Sequence, residues 1–475
     1  MGLLLIYFAS IIIMCSGCEK LIEVNAPYTS INAENVYNDD ATATSVLTGI
    51  YAKISNQNWN FNSNGNLGNI PLITGLTGDE IVLFNKNNIF LLSCYNNSIL
   101  SNNAPTYWSE CYNNIFVVNS AIEGLNSSKS LNPKIKNQLL GEAKFIRAYA
   151  YFYLVNFYGD VPLILSTDPL KNAVLKRTLS ADIYDQIESD LEEAKNLLSE
   201  QFVGVDLLSS SNERIRPTKW AACALLARVY LYRKKYNQAE TEASKIIEQS
   251  LFELVDINDV FLKNSKEAIW QLQSVHNIQA NTGEGQYFIL PDTGPSTVID
   301  YPIYLSENIV RSFDAEDLRM NLWVDSIVTT DKVYYYPHKY KIGRSNNGLM
   351  NEYPMMIRLG EILLIRAEAR AQLNNIAGSQ SDINEIRFRA GLSNTNASNK
   401  VDLLNSIIHE RQMELFTENG HRWFDLIRSN KIDSIMTIEA TKKGGVWNHN
   451  YINLPIPNSD LLANPNLTQN PGYTN

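Results

Sequence analysis

The chain has 475 residues, 45% of them hydrophobic and 19% charged, with a net charge of −10. That balance supports a large buried core and excludes a disordered chain. The acidic surplus, with no dense Lys/Arg cluster, argues against nucleic acid as a partner, because phosphate binding needs a positive face.

The first element is the apolar run from Leu3 to Met14, about as long as a signal-peptide hydrophobic region and short for a bilayer span. Ser16 and Gly17 then offer small residues to a peptidase, and Cys18 offers a thiol that can be acylated. Bacterial lipoprotein signals have this form. Residues 1–17 therefore read as a lipoprotein signal peptide, and residues 18–30 as a tether lipidated at Cys18. An ordinary secretory signal or a short buried strand is the competing reading. No Lys or Arg lies between Met1 and the run, so an initiation site upstream of Met1 is expected. No later run is long and apolar enough to cross a bilayer.

From residue 31 the stretch "NAENVYNDDATATSVLTGIYAKI" carries apolar residues at helical spacing, with Asn32 or Asn35 as its cap. Asn56 to Thr106 reads as an Asn-rich loop region. Helices are predicted at Trp108–Leu125, Pro133–Phe157, Ser180–Leu198 and Pro217–Gln249, which completes an N-terminal helical region over 31–250. Between Leu251 and Tyr353, short apolar alternations broken by Gly and Pro predict a loop-rich, partly β insertion. Helix returns at Ile357–Leu373, Gln380–Arg389 and Leu403–Asn430, ahead of an extended tail rich in Pro and Asn. The C-terminal region is then 251–475, with the insertion at 251–353.

Two helical stretches share a pattern. A tetratricopeptide repeat needs a small residue on its first helix and another about twelve positions later, where two helices touch. Ala227 and Ala239 meet that spacing, as do Ala367 and Ser379. The fold class expected is mainly α, a tetratricopeptide-like helical-repeat scaffold whose loop-rich insertion bears the ligand site. Cys94 and Cys111 admit a disulfide outside the cytoplasm, whereas Cys223, within "WAACALLARVY", packs as a small apolar group.

Catalytic and metal motifs are sparse. The five histidines are scattered, and "HERQM" at His409 lacks the second histidine of a zinc-protease helix. "NFNSNG" (Asn60–Gly65) has amides where a calcium loop needs carboxylates. Neither "GLTGDE" nor "NTGEGQ" has phosphate-loop spacing, and no G-x-S-x-G elbow appears. Asp79-Glu80 is the most conspicuous carboxylate pair, and a surface turn or helix cap explains it better than acid–base chemistry. No metal or cofactor is expected.

Aromatic residues set among amides are the feature left over. Trp59 and Phe61 lie in "NQNWNFNSNGN", and Phe90, Tyr95 and Asn96 in "NIFLLSCYNNS". The insertion adds Tyr287, Tyr301, Tyr304, Trp323 and Tyr334 to Tyr336. A sugar presents an apolar C–H face and a rim of hydroxyls, which a ring and neighbouring amides can match. Core packing competes for every ring, most strongly for Tyr334–Tyr336 on an alternating strand.

Several stretches together resemble the SusD/RagB family of outer-membrane nutrient-binding lipoproteins: "GEAKFIRAYAYFYLVNFYGDVPL" (141–163), "PMMIRLGEILLIRAEA" (354–369), "INEIRFRAGL" (383–392), "ERQMELFTENGHRWFDLIR" (410–428) and "LPIPNSDLLANPNLTQNPGY" (454–473). "WSECYNNIFVVNSAIE" (108–123) looks like the family's early helix. The resemblance implies non-catalytic capture of an oligosaccharide at the cell surface and delivery to a SusC-like TonB-dependent transporter in the outer membrane. A peptide-capturing member is the closest alternative, and a glycoside hydrolase a more distant one. By position, the stretch from Asp79 to Trp108 and the insertion after Leu272 look like the family's ligand loops. The expected glycan contacts are therefore Phe90, Tyr95, Asn96 and Tyr287, with Trp59 as an outlying member. Arg147, Arg358, Glu368, Arg411, Glu414, Arg422 and Asp425, at helical spacings, are expected to form structural ion pairs.

Overall fold

The computed structural model describes residues 36–55, 69–274, 281–297, 301–344 and 350–473. The signal stretch, Cys18 and Trp59 lie outside the described residues. In chain order the N-terminal part comprises α1 (Asp40–Ser55), α2 (Ile70–Thr77), β1 (Ile81–Leu83), α3 (Ile89–Tyr95), α4 (Tyr107–Ser127), α5 (Pro133–Tyr158), α6 (Pro169–Asn172), α7 (Ser180–Leu197), α8 (Lys219–Tyr232) and α9 (Tyr236–Ile247). The cap of α1 is Asp39, whose carboxylate accepts from the amides of Ala41 and Thr42, and not Asn32 or Asn35. Residues 69 to 106 are more ordered than a loop: two short helices and a strand occupy them, each too brief to give a periodic signal.

The helices form a stack in which each packs on the next: α4 on α5, α5 on α7, α7 on α8, and α8 on α9. The mainly α, tetratricopeptide-like class is observed. α5 runs through the middle. It starts at Pro133 behind Asn132, which caps the Lys134 amide, and nearly every side chain along it is buried. The stretch 217–249, read as one helix, is two. Lys234 adopts a left-handed backbone (φ 59°), and the Lys235 amide reaches back to the Tyr230 carbonyl at 2.8 Å. No Gly or Pro marks this break.

The C-terminal part opens with β2 (Ala268–Gln271), α10 (Gly283–Phe288), β3 (Ile303–Leu305), α11 (Glu307–Ser312), α12 (Leu318–Trp323), β4 (Val324–Val328), β5 (Val333–Pro337) and β6 (Met355–Arg358). It continues with α13 (Leu359–Gln372), α14 (Ile376–Arg389), α15 (Lys400–Leu415), α16 (His421–Arg428), α17 (Ile432–Lys443) and α18 (Asn458–Ala463). α9 packs directly on α13, so the helical stack continues across the insertion. The insertion leaves and returns through the antiparallel β2–β6 pair. Trp270 on β2 is fully buried, edge-on to Phe145 and Tyr149 of α5 at 5.0 and 5.4 Å.

The second repeat-like hairpin copies the first. Asn374 takes the left-handed turn (φ 61°), Asn375 reaches the Arg370 carbonyl at 2.8 Å, and the Ser379 hydroxyl donates to the Ala367 carbonyl at 2.8 Å. Ala227, Ala239, Ala367 and Ser379 are all without exposed surface. The stretch 403–430 also divides, into α15 and α16. Thr417, Asn419 and Gly420 all have positive φ there, and Gly420 sits close against Phe424 and Ile70. Cys94 and Cys111 are free, fully buried thiols, so the admitted disulfide is absent; burial pushes Cys94 up to about 12.

Candidate ligand site

β1 and β3 pair antiparallel with Val82 opposite Tyr304. Their neighbours Ile81, Leu83, Ile303 and Leu305 are buried, as two-residue periodicity requires, which turns Val82 and Tyr304 outward. Both line a surface cleft of about 320 Å³. Lys332, in the β4–β5 turn, lines one side; outside the lining, the Tyr334 ring stands edge-on to Tyr304 at 5.0 Å, and Phe84 stands edge-on to Tyr334 at 5.9 Å. Tyr304 is half-buried, so it keeps part of its surface open to the cleft. The Lys332 ammonium lies over both rings, at 4.9 and 5.5 Å.

The opposite side is the end of α17, with Glu439, Lys442 and Lys443. Lys443 donates to the carbonyls of Leu76, Thr77 and Gly78, at the C-terminus of α2, where a cation is favoured. It lies 5.0 Å from the Tyr95 ring. Burial pulls its pKa down to about 7 against the opposing pull of Asp79 and Glu439. Further along, Glu307 pairs with Arg311 at 2.8 Å and Glu439 with Lys442 at 2.7 Å.

Asp79 lines the cleft, but both its oxygens are bound by Arg422, at 2.9 and 2.6 Å. Glu80 is buried and accepts from the Thr417 amide at 3.2 Å; burial and the neighbouring Asp79 raise its pKa to about 8. The two carboxyls thus serve separate structural bonds.

Of the expected contacts among the described residues, only Tyr95 reaches this cleft, and it is 7% exposed, with its hydroxyl raised to about 12 by burial. Phe90 and Tyr287 are each 7% exposed and belong to the main core, so neither offers a platform. Asn96 is half-buried at the end of α3, its side-chain oxygen without a hydrogen-bond partner, and does not line the cleft. Tyr304, assigned mainly to packing by sequence, is the half-exposed ring in the lining, with Tyr334 packed edge-on against it. The alternation Ile303-Tyr304-Leu305, with an aromatic between two aliphatics, was the signal available.

A larger groove of about 800 Å³ lies elsewhere, between α1 and the loop carrying Val205 and Leu208. Of its charged residues Asp40, Asp206 and Arg216, the last is bound by Glu142 at 2.7 Å and Thr48 at 2.6 Å, and the ring among its described residues, Tyr51, is buried and bonded to Glu142. Among the described residues it has volume without open rings, so the smaller cleft is the better match to a sugar.

Residues 27–231 match a family model described as "Starch-binding associating with outer membrane", and residues 323–473 match the model of the SusD family. A SusD-like protein of Formosa agariphila is 28% identical across 95% of this chain and 91% of its own. The chain belongs to the SusD/RagB family. The fold agrees. Surface glycan-binding protein A from Bacteroides fluxus aligns over 92% of this chain and 100% of its own, with TM-score 0.75 and 21% identity. A laminarin-binding SusD-like protein aligns over 91% and 99%, with TM-score 0.72 and 22% identity.

The SusD/RagB motif residues do form ion pairs, but mostly between elements. Arg147 pairs with Asp190 of α7 at 2.6 Å, Arg411 with Asp425 at 2.7 Å, and Arg428 with Asp425 and Glu368. Arg422, from "GHRWFDL", crosses to Asp79 and fixes the floor of the cleft. Trp423 and Phe424 beside it are buried.

Proposed function

We propose that this SusD/RagB protein binds an oligosaccharide in the cleft between β1–β3, the β4–β5 hairpin and the end of α17, without changing a bond in it. Lipid on Cys18 would hold it at the outer face of the outer membrane, where it would pass its cargo to a SusC-like TonB-dependent transporter. The observation that carries this reading is the half-exposed Tyr304 ring, set among hydroxyl-bonding groups such as Asn308 and Lys442 in the same cleft. A flat ring meets a sugar's C–H face, and the rim groups meet its hydroxyls. The family description and the glycan-binding names of two similarly folded proteins support the same ligand class.

The test is calorimetric titration with oligosaccharides retained from a glycan array. Tyr304→Ala should weaken binding by about 1 kcal/mol while leaving the melting temperature near that of the parent. Unchanged affinity in this variant would remove the cleft from the account. New reducing ends on the oligosaccharide after incubation would contradict binding without catalysis.

A further inference from the structure

The cleft's charges do not cancel. Three carboxylates and four cations line it: Asp79, Glu307 and Glu439 against Arg311, Lys332, Lys442 and Lys443. Each carboxylate is already engaged. Arg422, from outside the lining, holds Asp79 through two bonds; Arg311 holds Glu307; Lys442 holds Glu439. Two ammonium groups are left over, on different walls. Lys332 has Glu307 at 4.0 Å, a carboxylate Arg311 already binds at 2.8 Å. Lys443 makes its hydrogen bonds to backbone carbonyls.

Both leftover cations are held against tyrosine faces, Lys332 over Tyr304 and Lys443 over Tyr95. A ring face steadies an ammonium without neutralising it. Lys443 is only 7% exposed and its three donors go to the carbonyls of Leu76, Thr77 and Gly78, so it adds positive charge to the cleft without a free donor, whereas Lys332 is the more exposed of the two. This excess of positive charge sits in a chain whose net charge is −10, so it is local and not a general property of the surface.

We infer that the cleft takes an acidic saccharide, one whose rings carry carboxylate or sulfate groups placed to meet Lys332. The inference rests on the glycan reading and narrows it. Tyr304 would hold a sugar ring of either kind, and Lys332, with the uncompensated charge of Lys443 behind it, would select the anionic ones. Charge-assisted hydrogen bonds form between ammonium and oxyanion, and these are about twice as strong as neutral ones.

The experiment uses the full chain and three matched hexasaccharides: a hexa-uronate, the same oligomer after carboxyl reduction, and a sulfated neutral-sugar hexamer. The acidic forms should bind at least about ten-fold more tightly than the reduced one, the scale of one charged hydrogen bond. That preference should shrink with added salt. Lys332→Gln should erase most of it, and Lys332→Arg should restore it. Whichever acidic oligomer binds better identifies the anion as carboxylate or sulfate. Equal or tighter binding of the reduced oligomer overturns the inference and leaves the glycan reading standing. Failure of all three, and of every oligosaccharide on a mixed neutral and acidic array, overturns both.

Discussion

Glu80 shows how single side chains at this site are set by burial. The carboxyl is enclosed, faces Asp79, and has only the Thr417 amide as its bond donor. Its folded pKa, about 8, lies above the ordinary 4.5, so the native state keeps a proton that the unfolded chain has released. The stability this contributes is complete below pH 4.5 and is lost as the pH rises through about 8. Glu80→Gln keeps the shape and cannot ionise. Its stability relative to the parent should therefore improve from pH 5 to pH 8 by more than about 1.4 kcal/mol, the value of a tenfold difference in proton affinity. Urea midpoints at the two pH values measure this, and parallel curves for both proteins would show Glu80 ionised in the fold.

At the same scale, residue type alone misleads about the ligand contacts. Phe90, Tyr95 and Tyr287 sit among amides and glycines in the sequence, yet their rings turn inward. Burial depends on which face of a short helix meets the core, and the six- and seven-residue helices α10 and α3 are too short to display a periodic face. Tyr304 points the other way for a legible reason: it lies on a strand between two buried aliphatics, where alternate residues take opposite faces.

Among the elements, the two hairpins α8–α9 and α13–α14 show what a repeat costs at its turn. Lys234 and Asn374 occupy the same left-handed position, each exposed and each followed by the same backward hydrogen bond. Lysine has no side-chain compensation for that backbone, whereas asparagine tolerates it. Lys234→Gly should raise stability by about 0.5–1 kcal/mol, and Asn374→Gly by less, read from thermal melts. A loss at Lys234→Gly would contradict the strain assigned there. The long helices were legible because their apolar spacing persists over many turns. The break at Lys234 was not, because glycine or proline is the usual marker and neither stands there. The break near Thr417 did carry one, in Asn419-Gly420, but helical spacing on both sides masked it.

The molecule as a whole is a helical stack with its 251–353 insertion tied back by buried charge. Arg358 pairs with Glu267, Glu414 and Glu418; Arg389 with Glu267 and Glu414; Arg319 with Asp317, Glu410 and Glu414; and Lys339 with Glu418. Asp317, Arg319 and Lys339 come from the insertion, and Glu410, Glu414 and Glu418 from α15 and the turn after it. Burial alone would raise Glu414, and the Arg389, Arg358 and Arg319 guanidiniums outweigh it, holding the carboxyl well below its ordinary range. Glu414→Gln leaves those guanidiniums short of a counter-charge. It should lower stability by about 3–5 kcal/mol, with amide exchange rising first in α12 and the β4–β5 hairpin. A change under about 1 kcal/mol would show the network to be dispensable.

The central claim is that cargo is held at the Tyr304 cleft and not in the larger groove beside α1. Hydrogen–deuterium exchange with and without a bound oligosaccharide tests it most directly. Slowed exchange is expected in residues 79–83, 303–312 and 329–334, with no change in 40–55 or 205–216. Protection confined to 40–55 and 205–216 would move the ligand to the groove and contradict the account.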